Sequence, residues 1–168
     1  MSWRGSKREG KRATVDSNKA IRAVQSEALL DHDLDTNLPK YQARIKEIAE
    51  TAAQQVTDPM AKMELRSALS TQMVTVEFQL ASEARKTLGR KALESLGELK
   101  LERMENFYLA PNETMRRQQI VLYAQDVNTA VSTGAMSPIE GRKEIAAFND
   151  EARIFAIERL IEIDPEGA

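Results

Sequence analysis

The sequence predicts an all-α protein: an elongated helical bundle with one very long helix and a C-terminal antiparallel helical hairpin. Charged residues make up 30% of the 168 residues and aromatic residues 5%. This composition favours helices, because Ala, Leu, Glu, Lys and Arg lose little side-chain freedom there. Apolar residues also recur at three- and four-residue steps between helix-capping patterns. The chain contains no cysteine, which excludes disulfides and thiolate metal sites, so packing must hold the fold.

Residues 1–37 are predicted to form a flexible basic N-terminal arm and a polar linker. Residues 1–23 carry seven basic and two acidic side chains, although the whole chain has a net charge of −2. The stretch SWRGSKREGKRATVDS shows no helical apolar period, so it cannot offset the entropy of ordering. A solvated tail is one interpretation. The others are contact with an acidic protein surface or weak, non-specific contact with DNA phosphates, through Trp3, Arg4, Lys7, Arg8, Lys11 and Arg12.

The segment DHDLDTNLPKYQ, residues 31–42, places carboxylates at alternate positions, as a calcium loop does. The match fails at Thr36, where such a loop has glycine, and at Gln42, where it has glutamate. A polar connector that ends at a helix start near Pro39 is favoured instead. Because His32 is the only histidine, no metal site and no cofactor are predicted.

One elongated all-helical domain is predicted over residues 38–168. Its first helix runs from Pro39 to about Val56, where an apolar stripe ends. Asp58 can then accept hydrogen bonds from the free N–H groups of a following helix, and Pro59 suits the first helical position. The chain therefore turns a corner here and starts a new helix.

The second helix has no strong breaker between Pro59 and Pro111. Its apolar stripe predicts a helix that reaches about Asn106, roughly 70 Å at about 1.5 Å per residue. Gly89 and Gly97 each weaken it by about 1 kcal/mol unless a neighbouring backbone passes close by, and a bend is expected near them.

A third helix begins at Asn112 or the preceding proline, and Gly134 is expected to end it in the left-handed conformation. Ser137 and Glu140 then form an S-x-x-E capping box, with Pro138 at the first helical position. This spacing predicts a tight antiparallel helical hairpin.

The fourth helix runs from Pro138 to about Ile163, and Asp164 with Pro165 closes it. One apolar stripe faces its hairpin partner. A second stripe consists of three isoleucines, Ile154, Ile157 and Ile161. One partner cannot bury both stripes, so another helix or a neighbouring subunit is expected to cover the second.

No catalytic residue is predicted. The sequence has no Gly-rich phosphate loop, and its only histidine lies in a polar linker. Acidic pairs such as Glu102 and Glu105 are typical of a solvated helix face. No apolar run approaches the ~20 residues of a bilayer span, so no transmembrane segment is predicted.

The order of helices and corners resembles the helical region of internal virion proteins of tailed bacteriophages, the ejection proteins. The resemblance covers residues 38–168 and rests on LPKYQARIKEIAETAAQQVTDPMAKMELRSAL, ASEARKTLGRKALESL and AVSTGAMSPIEGRKEIAAFNDEARIFAIERLIEIDPEGA. The matching residues are structural caps: Asp58, Pro59, Gly134, Ser137, Pro138, Glu140, Asp164 and Pro165.

The resemblance implies a non-enzymatic virion protein that is ejected with the genome and helps form a DNA-translocation conduit across the host envelope. It implies synthesis in the cytoplasm, then residence in the virion and finally in the host envelope or periplasm. The expected partners are further copies of the chain and portal, tail or other ejection proteins. Family members are often longer and can carry a transglycosylase domain, so a small member or a segment of a larger one is expected. A cytoplasmic helical adaptor or scaffold and a nucleic-acid-binding regulator remain alternatives.

Overall fold

The computed structural model describes residues 3–163 and 165–167, apart from the side chains of Trp3 and Ser6. Within these ranges the chain forms five helices: α1 (Trp3–Leu29), α2 (Leu34–Gln55), α3 (Pro59–Leu109), α4 (Glu113–Ser132) and α5 (Pro138–Ile163). The all-α prediction, with one very long helix and a C-terminal helix pair, is confirmed. The chain divides into two compact units, residues 1–87 and 88–168. The boundary falls inside α3.

Unit 1 is held together by the apolar faces of α1, α2 and the first part of α3. Ile21 of α1, Ile45 of α2 and Leu80 of α3 are all 0% exposed and belong to one core cluster. Close to the start of α1, a Cβ added at Gly10 would lie 3.3 Å from Cβ of Ala61 on α3. The packing of α1 on α3 therefore extends well into the basic N-terminal region.

The N-terminal region differs from its prediction as a flexible arm and linker. Residues 3–29 form α1, and α2 begins at Leu34, so Pro39 lies inside that helix instead of at its start. The physical reason is an apolar period that starts after the charged stretch. Its buried members recur at steps of three and four: Ile21, Val24 and Ala28. Burial of this face against α2 and α3 orders the helix despite its charge.

The carboxylate of Asp31 organises the turn between α1 and α2. Its Oδ1 accepts a hydrogen bond from the backbone N–H of Asp33 at 2.8 Å. Its Oδ2 accepts one from the side-chain amide of Asn37 at 2.9 Å and one from the hydroxyl of Tyr41 at 2.7 Å. The hydrogen bonds from Asn37, Tyr41 and the Asp33 backbone lower the pKa of Asp31. The polar connector is thus an ordered turn whose donors point at one carboxylate.

The corner between α2 and α3 has the predicted cap. Oδ2 of Asp58 accepts the backbone N–H of Ala61 at 2.9 Å, and Pro59 is the first residue of α3. The helix then continues through both glycines of its second half. A Cβ at Gly89 would lie 3.7 Å from Cα of Ala135, whereas one at Gly97 would meet no atom within 4 Å.

Unit 2 consists of the α4–α5 pair and the second part of α3. Tyr123 and Val127 of α4 and Phe148 of α5 are at most 1% exposed. The rings of Tyr123 and Phe148 lie with their centroids 4.2 Å apart. Leu96 of α3 joins the same core cluster. The side chain of Asn112 accepts the N–H of Met115 and so caps α4.

The α4–α5 corner contains both hydrogen bonds of the capping box. Oγ of Ser137 accepts the N–H of Glu140 at 3.1 Å, and Oε2 of Glu140 accepts the N–H of Ser137 at 2.8 Å. Gly134 has a φ of 77°, which L-residues rarely adopt. Pro138 is the first residue of α5. At the other end of α5, Pro165 lies in a turn, and Asp164 falls outside the described residues.

Candidate partner-binding site

Helix α5 has two apolar faces, and unit 2 buries one of them at Phe148 and Ala152. Phe148 and Ala152 are both 0% exposed. At about 3.6 residues per turn, the three isoleucines of the second stripe lie on the opposite side of the helix. Ile154, Ile157 and Ile161 are 57%, 57% and 50% exposed. We call these three side chains the isoleucine face. No residue in the described part of the chain buries it.

Two charged residues of opposite sign border the isoleucine face. At about 100° per residue, Arg153 lies along one edge and Glu158 along the other. Both are exposed. The face therefore has the plan of a binding surface, an apolar centre with a charged rim.

A groove lies beside this face, between the end of α3 and the last turns of α5. It has a volume of about 520 Å³, and its lining includes Leu101, Tyr108 and Phe155. The rings of Tyr108 and Phe155 meet edge to face at 5.5 Å. The guanidinium of Arg159 lies 4.7 Å from the centroid of the Tyr108 ring. Leu101 is 74% exposed, so the groove adds open apolar surface near the isoleucine face.

A polar cluster fixes α5 against the rest of unit 2. The hydroxyl of Tyr123 donates to Oε1 of Glu144 at 2.7 Å. Nζ of Lys100 on α3 lies 3.2 Å from the same oxygen and 3.4 Å from Oε1 of Glu151. Arg103 and Asp126 join α3 to α4 through a 3.0 Å ion pair with little solvent exposure.

The protonation states in this cluster follow from its contacts. The hydrogen bond from Tyr123, together with Lys100, lowers the pKa of Glu144 in spite of partial burial. Burial and the hydrogen bond to Glu144 raise the pKa of Tyr123 well above its ordinary value. Burial favours the neutral amine of Lys100, but its two carboxylate partners outweigh this and raise its pKa. At neutral pH the cluster therefore holds a carboxylate between a phenol and an ammonium group. It positions α5 in unit 2.

The predicted basic interface lies in unit 1. Its side chains are exposed on the first turns of α1: Arg4, Lys7, Arg8, Lys11 and Arg12. Arg12 also lies 4.0 Å from Asp16 one turn later. The side chain of Trp3, predicted as part of the same interface, is outside the described residues. The predicted interface residues therefore belong to two different units.

Two parts of the site were missed by sequence reasoning. The groove depends on Leu101, which lies outside the apolar stripe of α3, and on the contact of Tyr108 with Phe155. The bond between Tyr123 and Glu144 joins residues of different helices. In the sequence, the signals for this bond are the hydroxyl of Tyr123 on the apolar stripe of α4 and the acid Glu144 on the next helix. Neither residue indicates by itself that the other is its partner.

Within residues 3–163 and 165–167, no helix has an apolar stretch of the length and hydropathy that a membrane span needs. The same residues contain no group of three or more His, Asp or Glu side chains placed to hold a metal ion. Comparison of the chain with protein-family models, with curated proteins and with solved structures finds no match.

Proposed function

We propose that this chain is a non-enzymatic structural protein of a tailed-bacteriophage virion. In this proposal it is ejected with the genome, helps form a DNA-translocation conduit across the host envelope and acts as a homo-oligomer beside portal, tail or other ejection proteins. The support from the sequence is that its helices and capped corners follow the same order as in the helical region of those virion proteins. The capped corners at Asp58 and at Ser137–Glu140 are consistent with that order.

The isoleucine face is the observation that carries the assembly part of this proposal. Three neighbouring isoleucines, each at least half exposed, lie on a helix whose other side is buried at Phe148 and Ala152. A contiguous apolar patch of this kind marks an interaction surface more often than a solvated one. The polar cluster around Glu144 and Glu151 ties the preceding turns of the same helix to α3 and α4.

Purified particles of the phage that encodes the chain provide the test. Peptide mass spectrometry should detect the chain in intact virions, and its amount should fall in particles that have released their DNA in vitro. Light scattering at micromolar concentration should give a mass above that of one chain. If infected cells contain the chain but purified virions lack it, the virion proposal is wrong.

The second candidate function is a cytoplasmic adaptor or scaffold, and the exposed basic turns of α1 favour it. Those side chains could hold an acidic protein, or, in the weaker regulator alternative, DNA phosphates. We expect weak DNA binding at most, with little sequence preference and a steep loss of affinity as salt rises. Fluorescence titration with duplex DNA should compare the native chain with a Lys11→Gln/Arg12→Gln variant.

These substitutions are preferable to deletion of the N-terminal region, because deletion would remove Ile21 and Val24 from the core of unit 1. DNA binding that is equally strong in the variant would place the contact elsewhere. Capture of an acidic protein that duplex DNA does not displace would favour the adaptor.

A further inference from the structure

We propose that the isoleucine face is the seam of a parallel, in-register association between α5 helices of separate copies of this chain. In this arrangement Arg153 of one copy faces Glu158 of the next. The inference rests on the self-association part of the proposed function and adds the surface, the direction and the register of the contact.

The spacing of the isoleucines matches a helix-to-helix seam. Ile154, Ile157 and Ile161 follow steps of three and four residues, which correspond to positions a, d and a of a heptad. Asp150 holds the preceding d position, so the continuous apolar seam is short. A short seam predicts an association that depends strongly on concentration. Isoleucine at both a and d favours three or more helices over two.

The charged residues beside the seam favour a parallel over an antiparallel association of the helices. In the same heptad frame, Arg153 occupies a g position and Glu158 the following e position. In a parallel association each g residue faces the e residue of the neighbouring helix five positions later, so Arg153 meets Glu158 and opposite charges pair. An antiparallel association would instead place arginine near arginine and glutamate near glutamate, which is unfavourable.

The packing of α5 within unit 2 leaves these groups available. The buried side chains of α5, such as Phe148 and Ala152, lie on the opposite side of the helix. The residues of the seam and both charged residues are exposed. A second α5 can therefore approach without displacing the core of unit 2.

Cysteine cross-linking tests direction and register directly, since the chain has no cysteine of its own. Single variants Ile154→Cys and Ile161→Cys are oxidised with glutathione disulfide and run on a non-reducing gel. In a parallel, in-register association each cysteine lies opposite its own copy, within the ~4.4–6.8 Å Cα separation of a disulfide. Each single variant should therefore form a covalent pair. Val121→Cys, on an exposed position of α4, is the matched control and should not.

If the two single variants fail to cross-link and only their mixture does, the helices are antiparallel and the proposal is wrong. Light scattering could instead show that the native chain assembles while neither single variant nor the mixture cross-links. The contact then lies on another surface, and the proposal is wrong in that case too. A native chain that stays monomeric at every concentration overturns both this proposal and the self-association part of the proposed function.

Charge reversal provides a second test with an independent readout. Arg153→Glu or Glu158→Arg should each raise the dissociation constant, measured by sedimentation, at least about fivefold, because attractive contacts become repulsive. The double variant Arg153→Glu/Glu158→Arg should return to within about twofold of the native chain, since it restores opposite charges. Both positions are exposed, so circular dichroism should show native helix content in all three variants. Equal association by the native chain and both single variants would contradict the pairing.

Discussion

The hydroxyl of Tyr123 on α4 donates a 2.7 Å hydrogen bond to Oε1 of Glu144 on α5. The tyrosine is 1% exposed and its ring packs on Phe148. The contact therefore joins the apolar core of unit 2 to the charged cluster that links α5 with α3.

Removing this hydrogen bond should weaken unit 2 without changing its shape. Tyr123→Phe keeps the ring in the core but takes a donor away from an ionised acceptor, which should cost about 1–2 kcal/mol in the free energy of unfolding. Urea denaturation followed by circular dichroism measures the loss. Tyr108→Phe is the control, because Tyr108 is 38% exposed at the edge of the groove, and it should change stability little. Equal effects of the two substitutions would contradict the role given to Glu144.

The same acid predicts a pH dependence. In the folded protein the hydrogen bond from Tyr123, together with Lys100, lowers the pKa of Glu144 below its ordinary value of 4.5. Its ionised form therefore contributes stability that is present above that value and is lost as the pH falls toward the folded pKa. Glu144→Gln should show a smaller drop in the urea midpoint than the native chain between about pH 7 and pH 3. Identical drops would show that other carboxyl groups account for the acid sensitivity.

Two glycines in helices should respond oppositely to alanine. A Cβ at Gly141 would lie 2.7 Å from Cγ2 of Val131, a stiff β-branched side chain. Gly141→Ala should therefore destabilise unit 2 by about 1–3 kcal/mol through overpacking. A Cβ added at Gly97 would meet no atom within 4 Å. Gly97→Ala should therefore stabilise α3 by about 0.5–1 kcal/mol, since alanine is the better helix former. Thermal melts of both variants provide the measurement, and stabilisation by Gly141→Ala would show that α4 and α5 can separate at no cost.

The capping box at the α4–α5 corner should be measurable on its own. Ser137→Ala/Glu140→Ala removes both of its hydrogen bonds and should cost about 1–2 kcal/mol in unfolding free energy. Ser95→Ala, at an exposed position inside α3, is the matched serine control and should be neutral or slightly stabilising. A thermal midpoint unchanged by the double substitution would mean that the corner is held by other contacts.

A core substitution in α1 distinguishes a structural helix from a flexible arm. Ile21 is 0% exposed, so Ile21→Ala should destabilise unit 1 by about 2–5 kcal/mol through lost burial and a cavity. Val15→Ala is the control, because Val15 is 52% exposed. Denaturation that does not distinguish the two variants would support the flexible arm expected from the sequence.

The elements and corners that local chemistry specifies were predictable from the sequence. The cap at Asp58, the left-handed Gly134 and the Ser137–Glu140 box each depend on residues within a few positions of one another. The isoleucine stripe of α5 was readable for the same reason, because helical periodicity is a local property. The start of α2 was not predictable in this way. The turn before it is organised by Asp31, whose hydrogen-bond donors lie as far along the chain as Tyr41.

By itself the sequence determined the helix class, most of the helix limits and the presence of a second apolar stripe on α5, because capping and periodicity act over a few residues. Only the tertiary structure decided that residues 3–29 form a helix, that the chain divides within α3, that the isoleucines of α5 stay exposed, and that Glu144 bonds to Tyr123. These features depend on which distant surfaces meet. The stabilisation from burying α1, for example, comes from partners on α2 and α3, and no local pattern in its charged first half records their presence.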